Sequence, residues 1–97
     1  MPAASRKGDS CVFHCSPFSV SGGSGSVFIN GQGAARVGDS VNPHLKPAGK
    51  KCRPHTANIS KGSSTVFIDR KPAAHVGSSI SGCTSVSGGS PNVFVGR

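Results

Sequence analysis

The hydrophobic residues of this chain occur in short clusters separated by polar, glycine-rich stretches, and no apolar run exceeds three residues. Three clusters resemble one another, with V-F-I at residues 27–29 and 66–68 and V-F-V at residues 93–95. Aromatic and β-branched residues of this kind favour β-strands. Because side chains alternate along a strand, we expect the phenylalanines on one face and their valine and isoleucine neighbours on the other, where one of the two sets forms a core.

A second pattern consists of three similar words, AASRKGDSCVFH, GAARVGDSVNPH and PAAHVGSSISGC, which align on Gly8, Gly38 and Gly77. The first valine of the V-F-I cluster precedes the glycine by 11 residues in two of the three units. The remaining unit is split, since it begins near the C-terminus and continues at Met1, with one extra residue that we place near Ser5. This arrangement predicts a closed, threefold fold in which the chain ends meet.

The turns between the predicted strands have suitable residues. Asn30-Gly31 fits a two-residue hairpin turn, and Asp69-Arg70 and Gly96-Arg97 occupy the same place in their units. The aligned glycines are expected to adopt positive φ. The chain has no Glu, Tyr or Trp and a single Leu, whereas Ser, Gly and Val are abundant, so strands and turns are favoured over helices. We therefore predict one small all-β domain over residues 1–97.

The repeat also aligns residues that bind metals. Six residues after the aligned glycines lie His14, His44 and Cys83, which a threefold fold brings towards one place. Tetrahedral zinc needs a fourth ligand. The insertion between His44 and residue 66 supplies His55, our choice for that ligand. We therefore predict one structural Zn²⁺ held by three imidazoles and one thiolate, with no coordination position left for catalysis.

Other ligand sets remain open at this point. Cys52 lies three residues before His55, and C-x-x-H can chelate from a tight turn, whereas Cys11 and Cys15 flank His14. A disulfide such as Cys11–Cys15 is a further alternative. However, four cysteines in a chain without a secretory leader favour metal binding or free thiols over a disulfide scaffold. The missing leader also predicts synthesis in the cytosol.

Charge and composition narrow the classes of function. The net charge of +8 would suit a polyanion, so the alternative function is a small zinc-dependent module that binds nucleic acid or another polyanion. However, the basic residues form no dense run and no aromatic residues lie among the tightest group, so we expect no specific nucleic-acid partner. Acids are limited to three aspartates, and no catalytic motif is present. We therefore predict that the protein is not an enzyme.

The words PAASRKGD, GAARVGD and KPAAHVG, with GSVFING between them, resemble the PAAR-repeat family over essentially the whole chain. The resemblance implies a small cone of β-hairpins with zinc near its apex, held by three His and one Cys. These would be His14, His44, His55 and Cys83 in this sequence. It also implies a structural protein that caps and sharpens the trimeric VgrG-type spike of a type VI secretion system.

In such a system, one chain would cap one spike trimer, help to puncture membranes and leave the cell through the secretion machine. The threefold base would consist of residues 27–37, residues 66–76, and residues 93–97 together with 3–7. Because the sequence stops at the last predicted strand, we expect effectors to be recruited, or to lie on the spike protein, rather than to be fused to this chain. Contact with the target membrane is expected to be transient, and the basic surface could favour anionic lipid head groups.

Overall fold

The computed structural model describes residues 1–12 and 15–96, with their side chains except those of residues 46–48. Six strands in this part of the chain form three two-stranded antiparallel hairpins. The strands are β1 (Phe28–Ile29), β2 (Gln32–Gly33), β3 (His44–Ala48), β4 (Lys51–His55), β5 (Phe67–Ile68) and β6 (Lys71–Pro72). Within the described residues, no helix has the length and apolar character needed to cross a membrane. The all-β prediction is confirmed.

The β1–β2 and β5–β6 hairpins are closed by the predicted two-residue turns. In the first, Asn30 and Gly31 have φ of 54° and 80°, and in the second, Asp69 and Arg70 have φ of 52° and 69°. Positive φ at both central residues is the turn geometry whose twist matches that of the flanking strands. The third predicted turn includes Arg97, which lies outside the described residues.

A ring of three backbone hydrogen bonds joins the repeats at the centre of the molecule. The amide of Ser5 donates to the carbonyl of Ala74 (3.1 Å), that of Ala74 to Ala35 (2.9 Å), and that of Ala35 to Ser5 (3.0 Å). Ser5 therefore occupies the same position as the two alanines. Our placement of the extra residue near Ser5 is wrong. The three repeats align without an insertion from Ser5 to Gly8, so the extra residue belongs to the junction of the chain ends.

The ends of the chain meet as predicted. Ala3 forms an antiparallel bridge with Phe94, the Ala4 amide donates to the Val93 carbonyl (2.9 Å), and the Val95 amide donates to the Pro2 carbonyl (3.0 Å). These contacts reproduce between the termini the pairing that β1–β2 and β5–β6 make within one segment. The split third unit is thus completed by non-covalent strand pairing.

The aligned glycines turn each repeat in the same way. Gly8, Gly38 and Gly77 have φ of 94°, 95° and 94°, as predicted. Each glycine amide donates a 2.8 Å hydrogen bond to the carbonyl of a fully buried residue in a neighbouring segment. These acceptor residues are Val20, Ile59 and Val86. A side chain at such a φ would be strained, so glycine permits the turn that sends the chain back across the molecule.

The buried hydrophobic residues form two clusters, and the second includes the ring residues Ala35 and Ala74. One contains Ile29, Ile68 and Val95 together with small alanines, and the phenylalanine preceding each of these residues points outwards. The other contains Phe18, Ala35, Ala74 and three equivalent pairs, which are Val20 with Val41, Ile59 with Ile80, and Val86 with Cys11. The predicted alternation is confirmed for the phenylalanines and for the buried residue that follows each of them. It is wrong for Val27 and Val93, which are exposed. Three phenyl rings are thus left on the outside of the molecule.

The insertion after His44 forms a hairpin that is longer than the other two and has no counterpart in the other repeats, so it breaks the threefold symmetry. This hairpin was not predicted from the sequence. Strands β3 and β4 pair over five positions, from His44↔His55 to Ala48↔Lys51, and are joined through Gly49 and Lys50. Neither strand pairs with another strand of the described chain. The whole molecule measures 39 × 23 × 22 Å. An elongated all-β body with the hairpin beyond the second cluster is consistent with the predicted cone.

Candidate metal centre

The register of the β3–β4 hairpin brings two of the predicted ligands together. His44 begins β3 and His55 ends β4, and the two residues are direct partners across the ladder. Their imidazole rings meet edge to face, with centroids 4.5 Å apart. Each histidine lies five residues from the two-residue turn at Gly49 and Lys50, so the turn position alone fixes their juxtaposition.

The third ligand comes from the last repeat. Cys83 follows Gly82, which has φ of 62°, and the Cys83 amide donates to the carbonyl of the buried Ile80 at 2.9 Å. This turn places the Cys83 Sγ atom 3.3 Å from Nε2 of His44. The potential ligand atoms of His44, His55 and Cys83 all lie within 4.8 Å of one another.

The imidazole of His44 is held in a single orientation. Its Nδ1 lies 2.8 Å from the carbonyl oxygen of Asn42, and because a carbonyl can only accept, Nδ1 carries the proton. Its ring stacks on Phe18, with centroids 3.5 Å apart and planes 3° from parallel. The unprotonated Nε2 is thereby directed at Cys83. A carbonyl that fixes the tautomer of a ligating histidine is a recurrent feature of protein metal sites.

These three residues fit a zinc ion by donor type and by spacing. Two imidazole nitrogens and a thiolate sulfur are ligands that zinc takes in structural sites. In a tetrahedral zinc site, a nitrogen and a sulfur ligand are about 3.5 Å apart, from metal–ligand bonds of about 2.0 and 2.3 Å. The distance of 3.3 Å between His44 Nε2 and Cys83 Sγ is close to that value. His14, the fourth predicted ligand, lies outside the described residues.

The structure corrects our prediction for two of the remaining cysteines. Cys15 and Cys52 form a disulfide, with their Cα atoms 6.1 Å apart. We expected free thiols or metal ligands, and the disulfide that we considered paired Cys11 with Cys15. The insertion folds back as a hairpin, and this brings Cys52 beside Cys15 despite a separation of 37 residues. Two sulfurs bonded to each other are not available as thiolate ligands in this state.

Cys11 is a core residue of the second cluster. It is 5% exposed and pairs with Val86 in the same way that Val41 pairs with Val20. Burial, reinforced by the charges of Cys83 and Asp9, raises the pKa of the Cys11 thiol to about 11. A thiol that remains protonated is a poor metal ligand, so Cys11 packs as a small apolar residue.

The sequence of the three repeats matches a family model. The PAAR motif model matches residues 1–42 and 49–97, which is nearly the whole chain. The chain is a member of the PAAR-motif family. The gap in the match, residues 43–48, covers strand β3 of this PAAR protein and the residue before it, so it includes one half of the hairpin that breaks the threefold symmetry. No individually curated protein matches the chain significantly.

The disulfide was the feature of the metal end that sequence reasoning missed in this PAAR protein. The sequence does hold an indication of it, because Gly49 and Lys50 lie midway between His44 and His55. If the two histidines meet, this spacing predicts a hairpin with its turn at these two residues. With that hairpin in place, Cys52 lies on β4, within reach of the segment that follows His14. The spacing alone does not reveal which other cysteine is its partner.

Proposed function

We propose that this PAAR protein is a structural tip that caps the trimeric VgrG-type spike of a type VI secretion system. The observation that carries the proposal is a threefold set of exposed phenyl rings at one end of the molecule. Phe28, Phe67 and Phe94 are 60%, 57% and 51% exposed. Large apolar side chains that are exposed together in equivalent positions of a small soluble domain suit an interaction site.

The arrangement of these rings suits a partner with threefold symmetry. The rings occupy equivalent positions in β1, in β5 and in the strand pairing that joins the chain ends, directly outside the cluster of Ile29, Ile68 and Val95. One chain thus presents three similar contacts, and a closed trimer offers three identical ones. A standard interface buries about 800 Å² per partner, and the total accessible surface of this protein is 5197 Å². We therefore propose one chain per spike trimer.

Beside the second hydrophobic cluster, whose Phe18 stacks on His44, we propose one structural Zn²⁺ bound by His14, His44, His55 and Cys83. The support is the spacing of the three described ligands and the fixed tautomer of His44. When bound, the ion supplies cross-links between segments that are distant in sequence. In a domain of 97 residues, such cross-links contribute directly to folding stability.

The remaining parts of the proposal follow from this role. The PAAR family is structural, and we propose that this member is not an enzyme and acts mechanically. It would be made in the cytosol, exported with the spike and accompanied by recruited effectors. The hairpin of residues 44–55 contains three lysines and an arginine and no acid, and it would make transient contact with anionic target membranes.

The decisive experiment mixes the protein with a VgrG-type trimer from the same secretion system and measures the mass of the complex by light scattering. We expect one chain per trimer, and three chains per trimer would contradict a single asymmetric cap. Phe67→Asp should abolish the complex, because it puts a charge into one of the three apolar contacts. Val12→Asp, a change at an exposed valine beside the second cluster, is the matched control and should leave the complex intact.

The metal and the alternative function are tested separately. Elemental analysis of the purified protein should give one zinc per chain. Salt-sensitive binding to duplex DNA, together with no binding to the spike trimer, would instead favour a polyanion-binding module.

A further inference from the structure

The Cys15–Cys52 disulfide lies beside the proposed metal centre and holds the same element. Cys52 is on β4, three residues before His55, and Cys15 precedes the segment that carries the buried Phe18. Phe18 in turn stacks on His44 at the start of β3. The hairpin is therefore attached to the body at its base by the His44, His55 and Cys83 cluster and along its length by a covalent bond that uses none of these residues.

The two cysteines are held near each other by contacts that do not involve sulfur. The Cys15 amide donates to the carbonyl of Leu45 (3.3 Å), and the Leu45 amide donates to Oγ of Ser16 (3.0 Å). These two hydrogen bonds hold the Cys15 segment against β3, and β3 is paired with β4 at Cys52. Reduction of the disulfide removes neither hydrogen bond, so the thiols stay close enough to reoxidise.

The four cysteines differ in their access to a redox reagent. Cys52 is exposed and Cys15 is half-buried, whereas Cys11 is buried in the core and Cys83 belongs to the metal cluster. Cys83 is half-buried like Cys15, so a soluble oxidant or reductant reaches Cys52 before it reaches the other three cysteines.

We propose that Cys15 and Cys52 form a redox-dependent clamp that retains the β3–β4 hairpin on the body independently of the metal. In a reducing cytosol, the pair is in the dithiol form and the metal alone fastens the hairpin. In oxidising surroundings, a low-molecular-weight disulfide such as oxidised glutathione completes the clamp. The protein then tolerates loss of its metal without releasing the hairpin. This inference goes beyond spike capping and does not depend on it, but it rests on the proposed metal centre.

The oxidation proceeds by two thiol–disulfide exchanges. The thiolate of Cys52 attacks one sulfur of oxidised glutathione, whose S–S bond breaks to release one glutathione thiolate. The thiolate of Cys15 then attacks the Cys52 sulfur of the mixed disulfide, and the second glutathione leaves. The two protons lost by the cysteines are taken up by the two glutathione thiolates. The cysteine pair loses two electrons, which reduce the glutathione disulfide.

The test measures amide hydrogen exchange of residues 44–55 by mass spectrometry in four states of the full chain. The protein is oxidised with oxidised glutathione or reduced with a phosphine, and it is either zinc-loaded or treated with a chelator. We expect the hairpin amides to exchange slowly in three states and at least about tenfold faster only when both metal and disulfide are removed. The proposal is overturned if chelation of the oxidised protein releases the hairpin, or if the reduced, chelated protein keeps its protection.

Matched variants separate the clamp from general destabilisation. In the double variant Cys15→Ser/Cys52→Ser, the chelator should be enough to speed exchange of the hairpin amides under both redox conditions. If this variant fails to fold, reduced wild-type protein takes its place. Cys11→Val, which introduces the side chain that an equivalent repeat position already has, should behave like wild type. Loss of zinc on oxidation of the zinc-loaded protein would overturn the proposal, because a cysteine of the pair would then be a metal ligand.

Discussion

Three buried serines start the three strand units, and replacing one of them tests the repeat architecture directly. Ser24, Ser63 and Ser90 are at most 4% exposed. The hydroxyl oxygen of Ser63 accepts hydrogen bonds from the amides of Thr65 (3.1 Å) and Val66 (2.9 Å), and the other two serines repeat this pattern. A serine that accepts from amides two and three residues ahead fixes the turn that leads into a strand.

The expected cost of Ser63→Ala follows from these contacts. The substitution keeps the backbone and nearly the same volume, and it removes the acceptor of two amides while creating no large cavity. Leaving donors unsatisfied in a partly buried turn costs about 1–2 kcal/mol. For a domain of this size, that loss lowers the melting temperature by about 5–15 °C. Ser24→Ala should cost more, because the Ser24 hydroxyl also donates to the Asp69 carboxylate.

The assay is thermal unfolding by circular dichroism at a fixed excess of zinc, so that metal binding contributes equally to each variant. The matched control is Ser60→Ala, an exposed serine with one hydrogen bond to a backbone carbonyl, and we expect a change of less than about 0.5 kcal/mol. If Ser63→Ala costs no more than Ser60→Ala, the buried serines do not determine the strand turns and our reasoning is refuted.

Three further predictions concern the metal, a turn and acid stability. Cys83→Ala should lower zinc content and melting temperature together, measured by elemental analysis and thermal unfolding, whereas Cys11→Val should leave the zinc content unchanged. Arg70→Gly should stabilise the protein by about 1 kcal/mol in chemical denaturation, because Arg70 has φ of 69° and glycine adopts this region without strain. Hydrogen bonds from two serine hydroxyls lower the pKa of Asp69 below its ordinary value. The stabilisation from these hydrogen bonds is therefore present above the ordinary pKa of a carboxyl group and is lost as the pH falls through the lowered pKa of Asp69. The difference in the free energy of unfolding between wild type and Asp69→Asn, measured by denaturation, should therefore be larger at pH 7 than at pH 2.

The closure of the molecule depends on strand pairing between the chain ends. The bridge between Ala3 and Phe94 places the last exposed phenyl ring beside the N-terminus, so the third part of the proposed spike contact exists only when the ends are paired. Loss of this pairing would leave two of the three equivalent contacts in place.

Much of the fold was predictable because the same pattern occurs three times. A single V-F-I cluster or a single glycine turn is weak evidence, but three aligned copies identified two of the hairpin turns, the shared face of the phenylalanines and the meeting of the ends. Only the structure shows that this shared face points outwards. The alignment on glycines also placed His44 and Cys83 in one column, and the structure brings their ligand atoms together. Their assignment as metal ligands together with His14 remains a prediction.

The features outside the repeat could not be predicted in this way. The β3–β4 hairpin occurs once, so no second copy revealed its register, and its pairing with itself became evident only in three dimensions. Ser5 illustrates the same limit within the repeat, since only the hydrogen-bond ring shows that it occupies an alanine position.

The sequence by itself determined the local structure of each repeat, because strand propensity, alternation and glycine turns depend on residues that are neighbours in the chain. Only the tertiary structure decided which distant groups meet. The pairing of Cys15 with Cys52 across 37 residues and the contact of His44 with Cys83 depend on how separate segments pack. That packing is set by burial of both hydrophobic clusters and by backbone hydrogen bonds between repeats, which no local pattern encodes.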